Sequence, residues 1–379
     1  SEDRVRSSGR HDVKIADVNT YGFSAQATTG IGPGDFVYGL DYYHDEVDTE
    51  GYRDGVPRPS NRPVADDSRY DSLGVFGTYT WSPIEPLEIT AGARGSYIEA
   101  DWDGYRPQGA TEDESGGNDW TDLSLSLRGR YVLNDCWSLY GGVSQGFRAP
   151  NLDDLTGSQF ALNGLQTNGS PDLDPEEFVG LELGTRYGDG DLSFGLVGYY
   201  TWLDDAIVKV ADAKDDLYTV NGSDGYVYGL EADARWQFAE DWELRGFVSW
   251  MDGKVRAPEV YRGPSVDDTM RRLAPLTGSL ALRWTHPGDR WWLQGRVTAA
   301  DRADNLSRLE KTPGFDDQRI PVKGTPSYMV ASLSGGWQAN EKLLLTLGLE
   351  NLTDEDYRVH GSGVNGPGFG AVLGAKVEW

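Results

Sequence analysis

Asp122-Leu123-Ser124-Leu125-Ser126-Leu127-Arg128-Gly129-Arg130-Tyr131 sets leucine, glycine and tyrosine at odd positions and charged or hydroxylated residues at even ones. Successive side chains of a strand point to opposite faces, so this segment has one apolar face and one face suited to water. The same alternation returns in Leu87, Ile89, Ala91, Ala93 and Tyr97 against Glu88, Thr90, Arg94 and Ser96, and in Leu280, Leu282 and Trp284 against Ser279, Ala281 and Arg283. Leu343, Leu345, Leu347 and Leu349 repeat it, and Phe369, Ala371, Leu373, Ala375, Val377 and Trp379 close the chain with it. About fifteen such segments lie near 14–28, 35–47, 71–81, 87–100, 121–132, 137–146, 178–187, 191–210, 217–238, 242–252, 277–285, 291–300, 327–337, 342–350 and 369–379. Tilted strands of roughly 9–11 residues suffice to cross a bilayer.

The connections separate two kinds of all-β fold. Short turns at 30–34, 82–86, 133–135, 188–190, 239–241, 286–290 and 338–341 alternate with longer polar loops at 48–70, 101–120, 147–177, 253–276, 301–326 and 351–368. This is the pattern of a transmembrane antiparallel β-barrel, with short turns on the periplasmic side and long loops outside. Trp81, Trp137, Trp242 and the pair Trp291, Trp292 sit beside the short turns, where a headgroup girdle takes amphipathic rings. A soluble β-sandwich accounts for alternating strands too, but its Greek-key crossovers fall at irregular places.

Composition narrows the function. The 379 residues include 49 Gly, 20 Tyr and 13 Trp but only 3 Met, and no linker or composition shift divides them. The one cysteine, Cys136, cannot form an internal disulfide. There is no run of 18 apolar residues, which argues against a transmembrane helix and says nothing against a barrel. A net charge of −27 disfavours nucleic-acid binding, which needs basic surface. Asp153, Asp154, Asp267, Asp268, Asp316 and Asp317 either steer cations toward a pore mouth or simply solvate the loops, and their spread favours the second reading. Asp101-Trp102-Asp103-Gly104 lacks the full ligand series of a calcium loop and reads as an Asp-rich turn. No metal site or cofactor is expected, since no Cys/His spacing suits zinc, and His11, His44, His286 and His360 are too scattered for a catalytic constellation. Nucleophile elbows, His-Glu-x-x-His and phosphate-cradling loops are absent, so an enzyme is not expected. The pair Glu176, Glu177 reads as solvated. A barrel protease or lipase stays conceivable, since its catalytic residues come from distant strands.

Two boxes carry a resemblance to a known family. Phe147-Arg148-Ala149-Pro150-Asn151-Leu152-Asp153-Asp154-Leu155 and Ser170-Pro171-Asp172-Leu173-Asp174-Pro175-Glu176 flank one long loop, and the chain ends on an aromatic residue. Together these resemble TonB-dependent outer-membrane receptors. Glu350-Asn351-Leu352-Thr353-Asp354-Glu355-Asp356-Tyr357-Arg358, followed by His360-Gly361-Ser362-Gly363 and Gly366-Pro367-Gly368, is similar to the last loop of that family.

The resemblance implies a barrel of about twenty-two strands around an N-terminal plug. The fifteen segments would be its final strands, with residues 1–379 a partial barrel lacking the plug and first strands. It implies residence in outer-membrane lipid, energy coupling through TonB acting on the plug, and uptake of a scarce nutrient. A ferric siderophore leads, with cobalamin, haem or a passive porin as alternatives. Haem receptors of this family carry an iron-ligating histidine between the two boxes, whereas residues 151–170 hold none. His360 remains the one axial candidate on another loop. The motif residues are Phe147, Arg148, Ala149, Pro150, Pro171, Asp172 and Leu173, and the ligand-binding candidates are Arg148, Tyr357, Arg358 and His360. Arg148 bracing its own loop through loop carbonyls or Asp153 is the competing reading. Trp379 matches the terminal aromatic recognised in barrel assembly, or serves as a girdle residue. Such a partial barrel leaves two unpaired edges, which hydrocarbon does not tolerate.

Overall fold

The computed structural model describes residues 2–5, 11–107, 110–160, 166–214, 216–313, 315 and 319–379. Fifteen strands succeed one another as a meander: β1 (His11–Ile31), β2 (Gly34–Arg53), β3 (Asp66–Ile84), β4 (Leu87–Tyr105), β5 (Glu114–Asn134), β6 (Trp137–Arg148), β7 (Glu176–Gly188), β8 (Leu192–Asp204), β9 (Gly225–Ala239), β10 (Trp242–Pro258), β11 (Thr277–Thr285), β12 (Trp291–Ala300), β13 (Tyr328–Asn340), β14 (Leu343–Glu350) and β15 (Gly370–Val377). Each pairs antiparallel with the next. The short strands Glu2–Val5, Val56–Pro57 and Ser265–Thr269 add to the same sheet. Among the described residues β15 pairs only with β14, so its far side is an open edge.

Residues directly opposite in an antiparallel pair share a face. Ala91, Leu127, Val143, Leu181, Tyr200 and Tyr228 therefore form one continuous row across β4–β9. Thr90, Arg128, Gly142, Glu182 and Tyr199 form the row behind it. The apolar face is widely uncovered, with Leu183 70% and Leu373 82% exposed. An apolar band of this extent requires a partner, and in a barrel that partner is lipid. Every alternating segment quoted above has its apolar set on this outer face.

Two aromatic belts bound the band. Beside the short turns, Trp81, Trp137, Trp242, Trp291 and Trp337 lie on the apolar face, with Trp291 and Trp337 stacked at 5.2 Å. Near the opposite ends, Tyr200 meets Trp202, Tyr226 and Tyr228 at 4.5, 5.6 and 6.0 Å, and Trp250 meets Tyr228 at 5.5 Å. Trp292 departs from the expected girdle. Adjacent strand residues point to opposite faces, so with Trp291 outward Trp292 faces the lumen, where the Arg283 guanidinium lies 4.4 Å from its ring.

The strands run longer than alternation alone indicates. β2 has 20 residues and β5 has 21, about twice what a tilted strand needs to cross a bilayer. In stretches such as Asp45-Glu46-Val47-Asp48-Thr49-Glu50 one face meets water and the other, carrying buried Val47 and Thr49, is covered by a loop that Thr49 hydrogen-bonds through Val64 and Asp66, so the lipid-facing apolar signal stops although the backbone pairing continues. Asp101–Gly104 accordingly lies within β4 and is strand rather than turn. Segments 191–210 and 217–238 are each broken. Asp205 adopts a left-handed φ of 52°, and beyond it Ile207–Ala211 and Leu217–Asn221 leave the barrel to form a second sheet with Ser158–Phe160 and Gln166–Asn168. No helix among the described residues is long and apolar enough to cross a membrane.

Candidate functional site: the outer mouth

At the outer end of β6 the first motif box leaves the barrel and turns over it. Ala149 and Pro150 are buried, and Asn151 caps a single helical turn, Leu152–Thr156. Asn151 Oδ1 accepts from the Asp154 backbone N–H at 2.9 Å, and Asp154 Oδ2 accepts from the Asn151 N–H at 3.2 Å. Arg148 holds the arrangement. Its Nη1 donates to Asp154 Oδ2 at 2.8 Å and its Nε donates to Glu176, the residue directly across from it at the start of β7. Glu176 is only 8% exposed and is not solvated; its other oxygen accepts from the Ile207 N–H at 2.7 Å.

The loop between the boxes is packed down. Leu155 and Leu173 are buried against Ala65, Ala100, Trp102 and Tyr105, with Tyr70, Trp120, Leu152 and Ile207 around them. Thr156 Oγ1 accepts from the Ala65 N–H at 3.0 Å, and the Pro171 carbonyl accepts from the Asn118 amide. Asn221 joins the second sheet to the second box: its amide donates to the Asp174 and Asp205 carbonyls, and its Oδ1 accepts from the Asp174 N–H. The motif residues thus clip one loop across strands β4 and β5. Arg148 braces through Asp154 and Glu176, while Asp153 lies 3.5 Å from Lys209. Asp172 is exposed beside Leu173, and Phe147 points to the opposite face from Arg148.

The other candidates lie eight strands away, beyond β14. Asn351, buried and at a φ of 47°, organises that loop. Its amide donates to the Glu355 and Pro367 carbonyls at 2.8 and 2.9 Å, and its oxygen accepts from the Glu355 N–H at 2.8 Å. The Tyr357 ring lies 4.9 Å from Tyr328 and fills the space over Gly366, where an added Cβ would come within 2.2 Å of it. Arg358 Nε donates to Asn365 Oδ1 at 2.8 Å. His360 is half-buried, and its Nδ1 shares a hydrogen bond of 2.9 Å with Thr325 Oγ1. Burial holds the His360 imidazole below its ordinary range; buried Glu310 opposes this and Arg272 reinforces it. Arg148 is therefore not brought together with Tyr357, Arg358 and His360. Eight strands at about 4.8 Å each separate them along the wall.

Among the described residues no group of three or more His, Cys, Asp or Glu side chains is placed to hold a metal. Asp154 and Asp268 are engaged, the latter with Arg308 at 3.3 Å, while Asp316 and Asp317 lie outside the described residues. Trp379 is fully exposed past the end of β15. Two features at the mouth escaped the sequence reading. Tyr218 stacks on Tyr261 at 4.0 Å with Arg262 over the latter, and a small, largely apolar pocket with Lys209, Glu259, Asp268 and Arg308 in its lining forms between Val210, Val255 and Leu309. Both join separate loops, and no local spacing announces them.

Comparison with known proteins agrees with this architecture. The "Pesticin receptor" of Yersinia pestis is 25% identical over 302 residues, covering 77% of this chain and 40% of that protein. The "Iron-regulated outer membrane virulence protein" of Vibrio cholerae is 28% identical over 149 residues, covering 36% of this chain and 23% of that protein. The chain thus spans less than half the length of these relatives. Among solved structures, copper transporter OprC superposes with a TM-score of 0.79 at 19% identity, covering 97% of this chain and 58% of that one. The ferric yersiniabactin uptake receptor FyuA from Yersinia pestis gives 0.67 at 17%, covering 98% and 55%. Residues 3–352 match the family described as "TonB dependent receptor-like, beta-barrel", and the chain belongs to that family as an outer-membrane β-barrel.

Proposed function

We propose that this chain forms the wall of an energy-coupled receptor that takes up a ferric siderophore across the outer membrane. The observation that carries the reading is the mouth: a loop clipped over the barrel by Arg148, Asp154 and Glu176, with a second sheet beside it, gives a structured outer surface. A porin needs no such build-up. Two kinds of relative support the ligand class, a pesticin receptor in sequence and a ferric yersiniabactin receptor in fold. In this reading a plug supplied by the rest of the protein fills the lumen, TonB pulls on it from the periplasm, and no covalent chemistry is required. The absence of histidine from 151–170 argues against haem. Full-length protein in planar bilayers, together with titration by ferric siderophores, tests this. A receptor conducts poorly and shows a saturable site, whereas steady conductance without saturable binding contradicts the proposal.

A further inference from the structure

The lipid-facing side of β11–β15 is not evenly filled. Register places Trp284, Leu293, Gly335, Leu347 and Leu373 in one row of that face. Gly335 leaves a gap in the row, and side chains from β11, β12, β13 and β14 wall an open recess of about 610 Å³ over it. Sites for small organic molecules span roughly 300–1,000 Å³. The gap continues toward the middle of the bilayer. Three successive register pairs of β12 and β13 set one small residue against one large one: Gly335 against Leu293, Gly295 against Leu333, and Ala331 against Val297. The small member alternates between the strands, so the three form a sinuous groove about 13 Å long, measured along the strand. An added Cβ at Gly295 would meet nothing within 4 Å.

The end of the recess nearest the short turns is aromatic. Trp284 and Trp291 stand there, Trp337 stacks on Trp291 at 5.2 Å, and His286 sits edge-on to Trp284 at 5.9 Å. Among the described residues the indole N–H groups of Trp284, Trp291 and Trp337 have no hydrogen-bond acceptor. At the same depth on β6–β8 the face is closed instead, with Trp137 packed edge-on to Tyr187 and Phe194 at 5.2 and 5.4 Å.

We infer that this recess binds one phospholipid of the periplasmic leaflet, with an acyl chain in the groove over Gly335, Gly295 and Ala331 and the glycerol ester carbonyls accepting from the tryptophan indoles. The groove is continuous with the lipid-facing band and takes hydrocarbon. The indole donors at its mouth lie at the depth where such rings meet the polar ends of lipids. Only the outer face of the sheet takes part. Whatever fills the lumen lies on the other side of the wall, and β14 and β15 separate Gly335 from the open edge, so completing the barrel leaves the recess in place. The inference does not depend on what the receptor transports.

A phospholipid carrying a diazirine near the end of one acyl chain tests it on the full-length receptor in mild detergent, with the labelled peptides identified by mass spectrometry. Labelling is expected to saturate at a single molecule per receptor and to concentrate on residues 293–297 and 331–335. Gly335→Leu and Gly295→Leu each put a branched side chain into the groove and are expected to raise the half-saturating concentration about a hundredfold, the effect of displacing three to four buried carbon groups. Gly129→Leu, on the lipid face of β5, is expected to leave it unchanged. Free palmitic acid, which lacks the glycerol esters, is expected to compete about tenfold less well than the unlabelled phospholipid. Labelling that spreads evenly around the apolar band without saturating, or half-saturation that neither groove variant shifts, would mean ordinary bulk lipid and overturn the inference. Equal competition by palmitic acid would overturn the assignment of the indoles to ester carbonyls.

Discussion

Single side chains at the mouth act mainly on the loops they hold. Arg148→Gln leaves Glu176 and Asp154, 11% and 13% exposed as side chains, without their cation. Arg148 itself is 39% exposed, so the cost is about 1–3 kcal/mol, less than for a wholly buried pair. Limited proteolysis of the full-length variant should cut the loop between the boxes about tenfold faster or more, and an unchanged rate would show that Arg148 does not brace it. His360 gives a pH dependence of known sign. Its folded pKa lies below the ordinary 6.5, so the stability contributed by the neutral ring is complete above 6.5 and is lost as pH falls through the lower folded value. Amide protection factors in residues 357–366, taken relative to the intrinsic exchange rate at each pH, should therefore fall between pH 7 and pH 5 in the native protein and much less in His360→Gln; equal responses would remove His360 as the cause. Of the four ligand candidates, Arg148 ends β6 while Tyr357, Arg358 and His360 lie on one loop, and the commitment of Arg148 to two carboxylates depends on a strand register that local spacing does not encode. Glu176 read as solvated because its partner lies 28 positions away in the chain and meets it only through strand register.

At the scale of elements, the fifteen strands and their faces were legible because lipid on one side and a polar lumen on the other impose a period of two. Where that contrast ends, legibility ended too: the outer halves of β2–β5 rise past the lipid with one face packed under loops, at Thr49, Ser68, Ala100 and Trp102, and their pairing continues without the lipid-facing signature. The second sheet was hidden for another reason. Ile207–Ala211 and Leu217–Asn221 continue the pattern of the strands beside them, and only the left-handed turn at Asp205 and the bonds of Asn221 divert them. The packing of the mouth depends on Leu155, which is fully buried. Leu155→Ala should cost about 2–5 kcal/mol locally, read as loss of protease resistance in the loop while the barrel stays resistant. Retained resistance would mean that the loop is held by its polar bonds alone.

For the whole molecule, the open edge of β15 and the short pairing of Glu2–Val5 leave strand groups that hydrocarbon would not satisfy. Residues 1–379 refolded alone in detergent should therefore aggregate, and a heat-modifiable, protease-resistant band would show that they close as a smaller barrel. In the proposed reading the apolar band, its two belts and the clipped mouth form the wall of a receptor whose lumen a plug fills. Uptake of radiolabelled iron by iron-limited cells that produce the full-length receptor tests this most directly, supplied as ferric siderophores and compared with cells lacking the gene and with cells whose proton-motive force is collapsed. Saturable uptake that disappears in both controls is the predicted result. Uptake that neither saturates nor depends on energy would contradict the account and return the chain to the class of passive pores.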